Sequence, residues 1–379
     1  MKTVYLSILW SLWFLVFSSR TALSPFLPII EDELHLSHAL AGGFYLSISL
    51  GYTLSLILSG IVAPKVGYKR LIVIGTATLV LSAASCWLAK GYVELAVILF
   101  FVGIAGGLYI PGAIPLLTGL FEPRNWGKTI AVHDTAASVS ILSIPFLTTL
   151  SLVFTPWRGF FVLMAVAGVL CLAAFVKFVP DAPPNQGEER GSIADILKRG
   201  DFWIMFVLWM VAATATMGLY SITPLFLVTE RGIPLESANT IFGISRIGSI
   251  FATLIAGFLV DRFGSRKLIF WIIVISGAST LGVAAAPNMI LLFLALSIQA
   301  PFSNGFFPVG LVAVSKLSNP GERSLFTGVT ISGGTIVGMG IAPVLLGAIA
   351  DRWSFELGFV ITGIVILSAA ALPLLLKDI

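Results

Sequence analysis

Three ionisable side chains stand inside long apolar stretches of this sequence: Arg20, Asp134 and Arg246, with His133 beside Asp134. A charge at membrane depth costs about 2.5–3.5 kcal/mol on insertion scales, so each marks a functional site by default. The two arginines suit an anion, because a guanidinium stays protonated and its planar fork matches a carboxylate or phosphate in two-point contact. Counted from the ends of their stretches at about 1.5 Å per residue, both lie roughly 12–15 Å below the outer surface. The competing reading of each is structural. Arg20 would then snorkel to headgroups, and Arg246 would pair with Asp134, although Asp134 follows Lys128 closely and so belongs nearer the cytoplasmic side. An apolar setting disfavours a carboxylate's charged form, which suits an acid that loads and releases a proton. Asp134 is therefore the preferred proton-coupling residue, with His133 as a possible sharer of that proton. Adjacent helical residues point about 100° apart, so only one of the two faces a cavity squarely. Tyr109, Tyr220, Gln299 and Asn304 are mid-span polar groups that either orient a substrate or bond between helices.

The elements that must position these groups are membrane helices. The chain is 379 residues long, 58% hydrophobic and 11% charged, with a mean hydropathy of +1.02. Soluble domains carry roughly a quarter charged residues, so lipid must cover most of this surface. Twelve apolar runs can be marked, at 4–28, 39–63, 71–89, 95–117, 129–153, 159–179, 203–228, 238–260, 268–286, 289–315, 325–350 and 357–376. Each is near the ~20 residues a spanning helix needs and lacks the alternation of barrel strands. The first run is too long for a signal peptide and has no convincing cleavage site. The net charge of +4 is a topology signal rather than a nucleic-acid signal. With the N-terminus in the cytoplasm, only Lys90, Arg158, Arg231 and Arg352 of the loop cations fall outside. The expectation is an integral, multi-pass plasma or inner-membrane protein with both termini cytoplasmic. Cys86 and Cys171 fall within spans and read as packing residues. No metal cluster, nucleotide-binding motif, cofactor signature or nucleophile constellation stands out, so no enzyme is expected.

The longest polar stretch separates six spans from six. It divides the chain into 1–179, a linker at 180–201 containing a short amphipathic helix over Ile193–Arg199, and 202–379. An internal repeat crosses it. Gly60, Gly67, Lys69, Arg70, Pro111 and Pro123 recur 197 positions later as Gly257, Gly264, Arg266, Lys267, Pro308 and Pro320, while Pro145 recurs at 198 as Pro343. The loop after the eighth run reads G-F-L-V-D-R-F-G-S-R-K from Gly257 to Lys267. There Gly257 is expected to allow close helix contact, Asp261 to face a basic neighbour or a helix N-terminus, and Gly264 to make the turn. In the first copy Pro64 replaces the acid, so that copy keeps the turn and loses the charge.

This loop resembles the motif of the major facilitator superfamily, and the likeness extends over essentially the whole chain. It implies an all-α membrane protein whose twelve helices form two pseudo-symmetric six-helix bundles, with a substrate site at the interface between halves and no cofactor. Arg20, followed by S-P-F-L-P-I-I-E-D-E-L-H-L-S from Ser24, looks like the anion-carrying branches. Arg246 in G-I-S-R-I-G from Gly243 is similar to monocarboxylate and oxalate-type carriers. Pro111 and Pro308 are expected to bend their spans, and Gly333, Gly334, Gly338 and Gly340 to pack helices closely. The expected activity is secondary transport of a small organic anion, a carboxylate for preference, by a monomer coupled to a proton or counter-anion. A proton-driven exporter of drug-like amphipaths and a transporter-like ligand sensor are the alternatives. The Gly-Pro signature of such exporters survives in the fifth span only as Pro145.

Overall fold

The computed structural model describes residues 2–181, 193–319 and 322–376, excepting the side chains at 60, 61, 64, 253, 254 and 324. Most of the linker, Pro320 and Lys377 therefore lie outside the described residues. No strand occurs among those described. Apolar runs of this length must satisfy their own backbone in lipid, and outside a closed barrel only a helix does so. They are α1 (Lys2–Glu33), α2 (His38–Val66), α3 (Tyr68–Leu88), α4 (Tyr92–Leu120), α5 (Trp126–Ser151), α6 (Trp157–Phe178), α7 (Ile193–Leu197), α8 (Gly200–Thr229), α9 (Leu235–Ser245 continued by Ile247–Phe263), α10 (Ser265–Ala285), α11 (Met289–Leu317), α12 (Leu325–Arg352) and α13 (Phe355–Leu375). Among the described residues eleven are long and apolar enough to cross a membrane, and α9, taken as one bent span, makes twelve. The linker helix is shorter than the amphipathic pattern suggests. It ends at Leu197 because Arg199 turns to extended backbone ahead of α8.

Two compact units result, Met1–Leu36 with Phe44–Gln186, and Ser37–Gly43 with Gly187–Ile379. Within the first, α1 packs on α5 and α6, and α3 on α4 and α6. Within the second, α8 packs on α12, and α10 on α11 and α13. The pairings are thus repeated, as the offset of 197 requires. The turn glycines obey it too. Gly67 (φ +90°) joins α2 to α3 and Gly264 (φ +77°) joins α9 to α10, both in a region that L side chains rarely adopt.

The interruptions differ from the prolines the sequence singles out. α4 and α11 run unbroken through Pro111 and Pro308. Breaks fall instead at Ala22 in α1, at Arg246 in α9, and at two π-helical segments, Thr214–Gly218 in α8 and Thr335–Ile341 in α12. The two π segments pack on each other. A Cβ on Gly338 would stand 2.4 Å from the Ala213 Cβ, so only glycine permits that approach. Where the linker enters α8, Arg199 donates to both Asp201 oxygens (3.1 and 2.7 Å), to Glu322 and to the Leu317 carbonyl. Its bonds to Asp201 lead the causes that hold this guanidinium above its ordinary value.

Candidate functional site

In the first unit, Arg20 ends the straight part of α1, just before the turn at Ala22. Its guanidinium carbon lies 4.8 Å from the Phe17 ring centroid, 4.9 Å from that of Tyr52 and 5.9 Å from that of Trp13. This aromatic cradle gives cation–π attraction without neutralising the charge. Its Nε is buried without a hydrogen-bond partner, and no carboxylate pairs with it among the described residues. Trp13 and Phe17 sit seven and three residues before Arg20 on one helical face, a spacing the sequence displays. Tyr52 comes from α2 and carries no such signal.

Trp13 also links this cradle to α5. Its indole Nε1 donates to Asp134 Oδ1 at 3.4 Å, and its ring stacks on those of Tyr109 and His133. Tyr109 is buried, with its hydroxyl donating to the Leu9 carbonyl at 2.6 Å and lying 3.1 Å from His133 Nε2. The hydroxyl's one proton goes to Leu9, so His133 must donate through Nε2. Tyr109 and His133 are thereby committed to joining α1, α4 and α5. Asp134, one residue on, is exposed.

In the second unit, Arg246 occupies the break in α9. Its N–H reaches the Gly243 carbonyl and its own carbonyl accepts from Ser249, both over three residues, so the helix tightens through the arginine. The side chain is 2% exposed. Its carbon lies 4.5 Å from the Phe242 ring centroid and 5.6 Å from that of Tyr220. Nη1 faces Gln299 Oε1 at 3.5 Å, whereas Nε and Nη2 have no hydrogen-bond partner among the described residues. No carboxylate pairs with Arg246 among the described residues. Phe242, four residues before it, is legible at helical spacing. Gln299 donates to the Ala215 carbonyl (2.6 Å) and to Ser303 Oγ (2.9 Å). Asn304 does not join this cluster; it bonds Ser249 (3.2 Å) and the Ala300 carbonyl (3.0 Å).

The loop residues do other work than expected. Among the described residues a Cβ on Gly257 would meet nothing within 4 Å, so this glycine makes no close helix contact with them. Asp261 is exposed and forms no ion pair among the described residues. The basic members instead cap helix C-termini. Lys69 Nζ donates to the Val176 carbonyl of α6 at 3.1 Å, and Arg266 Nη2 to the Leu374 carbonyl of α13 at 2.5 Å. Gly60 lies within α2, and Gly67 and Gly264 form the turns.

The family model described as Major Facilitator Superfamily matches residues 9–257 and again 230–378. The hexuronate transporter of Bacillus subtilis is 25% identical over 372 residues, covering 91% of this chain and 87% of that one. The multidrug resistance protein MdtL of Escherichia coli is 25% identical over 349 residues, with 88% and 86% covered. Among solved structures, a bacterial homolog of the human lysosomal transporter Spinster superposes with a TM-score of 0.84 at 16% identity, over 99% of this chain and 96% of that one. A D-xylose-proton symporter reaches 0.83 at 16% identity, over 98% and 97%. Those two structural likenesses speak for the fold alone.

Proposed function

Because this chain belongs to the major facilitator superfamily, we propose that it is a secondary carrier whose cargo is a small organic anion bearing a carboxylate. The observation that carries this reading is Arg246, buried in the second unit with two of its three nitrogens unpartnered and no acid paired with it among the described residues. A buried charge left without a counter-charge is strongly destabilising, and a bound carboxylate would relieve that cost. Arg20, held by aromatic rings rather than an acid, supplies a second cation of the same kind in the first unit. The hexuronate transporter is named for a sugar acid, which agrees with such cargo.

Asp134 is our choice for the coupling residue, since it is exposed while His133 is enclosed by Tyr109 and Trp13. A proton is then the driving ion, and exchange against a second anion is the alternative coupling. Of the residues named from sequence, Arg20 and Arg246 remain substrate-binding proposals, and Gln299 faces Arg246 rather than the cargo. Tyr220 lines Arg246, and Tyr109 and Asn304 support helices. We further assign a monomer with both termini in the cytoplasm.

Uptake of labelled glucuronate, lactate and oxalate into proteoliposomes tests the cargo. Accumulation by the wild type that disappears in Arg20→Ala and Arg246→Ala is expected; unchanged uptake in both variants sinks the anion reading. The likeness to MdtL favours a second reading, a proton-driven exporter of amphipathic compounds. Under it, dye efflux would need Asp134 and tolerate both arginine substitutions.

A further inference from the structure

Gln299 stands on α11 in an arrangement that fixes its amide completely. The Ala215 carbonyl can only accept, so the group 2.6 Å from it is the amide nitrogen, and the second amide proton goes to Ser303 Oγ at 2.9 Å. Ser303 donates in turn to the Gln299 carbonyl (2.7 Å) and touches Ser276 Oγ (2.8 Å). Both protons spent, Gln299 can turn only its oxygen toward Arg246 Nη1. The π-helical segment makes this possible. The Leu219 N–H, which in an α-helix would donate to Ala215, reaches Thr214 and Thr216 instead, and that releases the Ala215 carbonyl for Gln299.

The consequence falls on Arg246. With Nη1 drawn to Gln299, the edge of the guanidinium formed by Nε and Nη2 is left buried and unpartnered. That edge is one of the two on which an arginine takes a carboxylate in parallel, two-point contact. A glutamate of the same shape at 299 would have neutralised the arginine; the glutamine orients it and leaves its charge for a ligand. We propose that Gln299 is a positioning residue that presents the Nε–Nη2 edge of Arg246 to one carboxylate of the cargo. The proposal rests on the anion-carrier reading. It adds that recognition at this arginine is of one carboxylate, taken on one edge. Uncharged analogues bearing an amide or alcohol in its place are excluded as cargo.

The test uses the full chain in proteoliposomes with glucuronate, lactate and oxalate as probes, each variant first checked for a monodisperse, thermally cooperative fold. In Gln299→Leu the KM for the transported acid should rise about tenfold with kcat within about twofold, since the arginine is still present and only its aim is lost. In Gln299→Glu, which keeps the shape and satisfies Arg246 internally, uptake should fall about a hundredfold. Ser303→Ala removes one of the two anchors, and an increase of about threefold in KM is expected. A wild-type KM in Gln299→Leu, or undiminished uptake in Gln299→Glu, overturns the positioning role; if Arg246→Ala is inactive in the same preparation, the anion-carrier reading still stands. Failure of the wild type to take up any of the three acids removes both together.

Discussion

Glu33 at the end of α1 and Arg158 at the start of α6 meet at 2.5 Å, and the arginine continues to the Ala89 carbonyl beyond α3 (2.8 Å). Glu33 also accepts from the Trp157 indole at 2.7 Å. Three helix ends are thus tied by one acid and one base. The second unit builds the same knot 197 residues on, with the base moved. Glu230 accepts from the backbone N–H groups of Phe355 (2.5 Å) and Glu356 (3.0 Å), and Arg231, beside it, reaches the Ala286 carbonyl (3.0 Å) and Glu356 (2.9 Å). Glu33 and Glu230, like Ala89 and Ala286, are equivalent positions of the repeat.

Arg158 joins Glu33 to the Ala89 carbonyl in this knot, and its side chain is only 16% exposed. Arg158→Ala should therefore cost about 1–2 kcal/mol, more than an open surface pair, because a helix C-terminal carbonyl loses its donor as well. Arg158→Lys should recover less than half of that, since an ammonium cannot span Glu33 and Ala89 with a fork. Thermal unfolding in detergent reads both. Equal stability of the alanine variant and the wild type would mean that the knot is decorative.

Lys69 and Arg266 cap the ends of α6 and α13 at equivalent places in the two units. Each alanine substitution should cost about 0.5–1 kcal/mol, the value of a cation on terminal carbonyls. The two sites share no partner, so the double variant should lose the sum to within about 0.5 kcal/mol. A markedly larger combined loss in chemical or thermal denaturation would contradict independent capping.

What the sequence displays and what it hides separate along physical lines. Periodic and composition-driven features are visible: the spans, the repeat at 197, the turn glycines Gly67 and Gly264, and the aromatic neighbours of Arg20 and Arg246 at helical spacing. The split between adjacent His133 and Asp134 follows from helical geometry alone. Hidden features depend on which side chain or carbonyl a second helix happens to offer. The π segment that frees Ala215 arises where α8 meets the glycines of α12, and no local pattern near Thr214 announces it. Gly257 and Asp261 carry the loop motif in sequence, yet among the described residues one meets no close neighbour and the other forms no ion pair. A motif names residues, and their partners depend on the conformation.

Two glycine substitutions separate packing from motif membership. Gly338→Ala would drive a Cβ to 2.4 Å from the Ala213 Cβ and carbonyl carbon, which at helix-packing density should cost about 1–3 kcal/mol. Gly257→Ala adds a methyl to open space inside a helix and should leave stability unchanged or raise it by about 0.5–1 kcal/mol. Paired melting curves decide the matter; a strongly destabilised Gly257→Ala would show that this glycine has a close neighbour after all.

Arg246→Lys retains the charge and discards the fork. If a carboxylate docks on two nitrogens of the guanidinium, the lysine variant should lose about 10–100-fold in kcat/KM for the transported acid, falling most of the way toward Arg246→Ala. A point charge would be enough for simple electrostatic attraction. Near-wild-type transport by the lysine variant, measured as initial rates in proteoliposomes, would therefore replace two-point recognition with a bare field effect.

Asp134 distinguishes driving force from passage. Its carboxylate accepts a long bond, 3.4 Å from Trp13 Nε1, and pairs with no cation among the described residues, so Asp134→Asn preserves the shape and that contact while removing the ability to bind and release a proton. A carrier driven through Asp134 should then fail to accumulate the anion under an imposed pH gradient. Exchange of internal for external labelled anion, which needs no net proton movement, should continue within about threefold of the wild type, because a neutral asparagine mimics the protonated acid throughout the cycle. The two assays use the same vesicles and differ only in the gradient applied. Loss of both activities would make Asp134 part of the substrate path or the fold, and persistence of both would move the coupling to another residue or to a counter-anion.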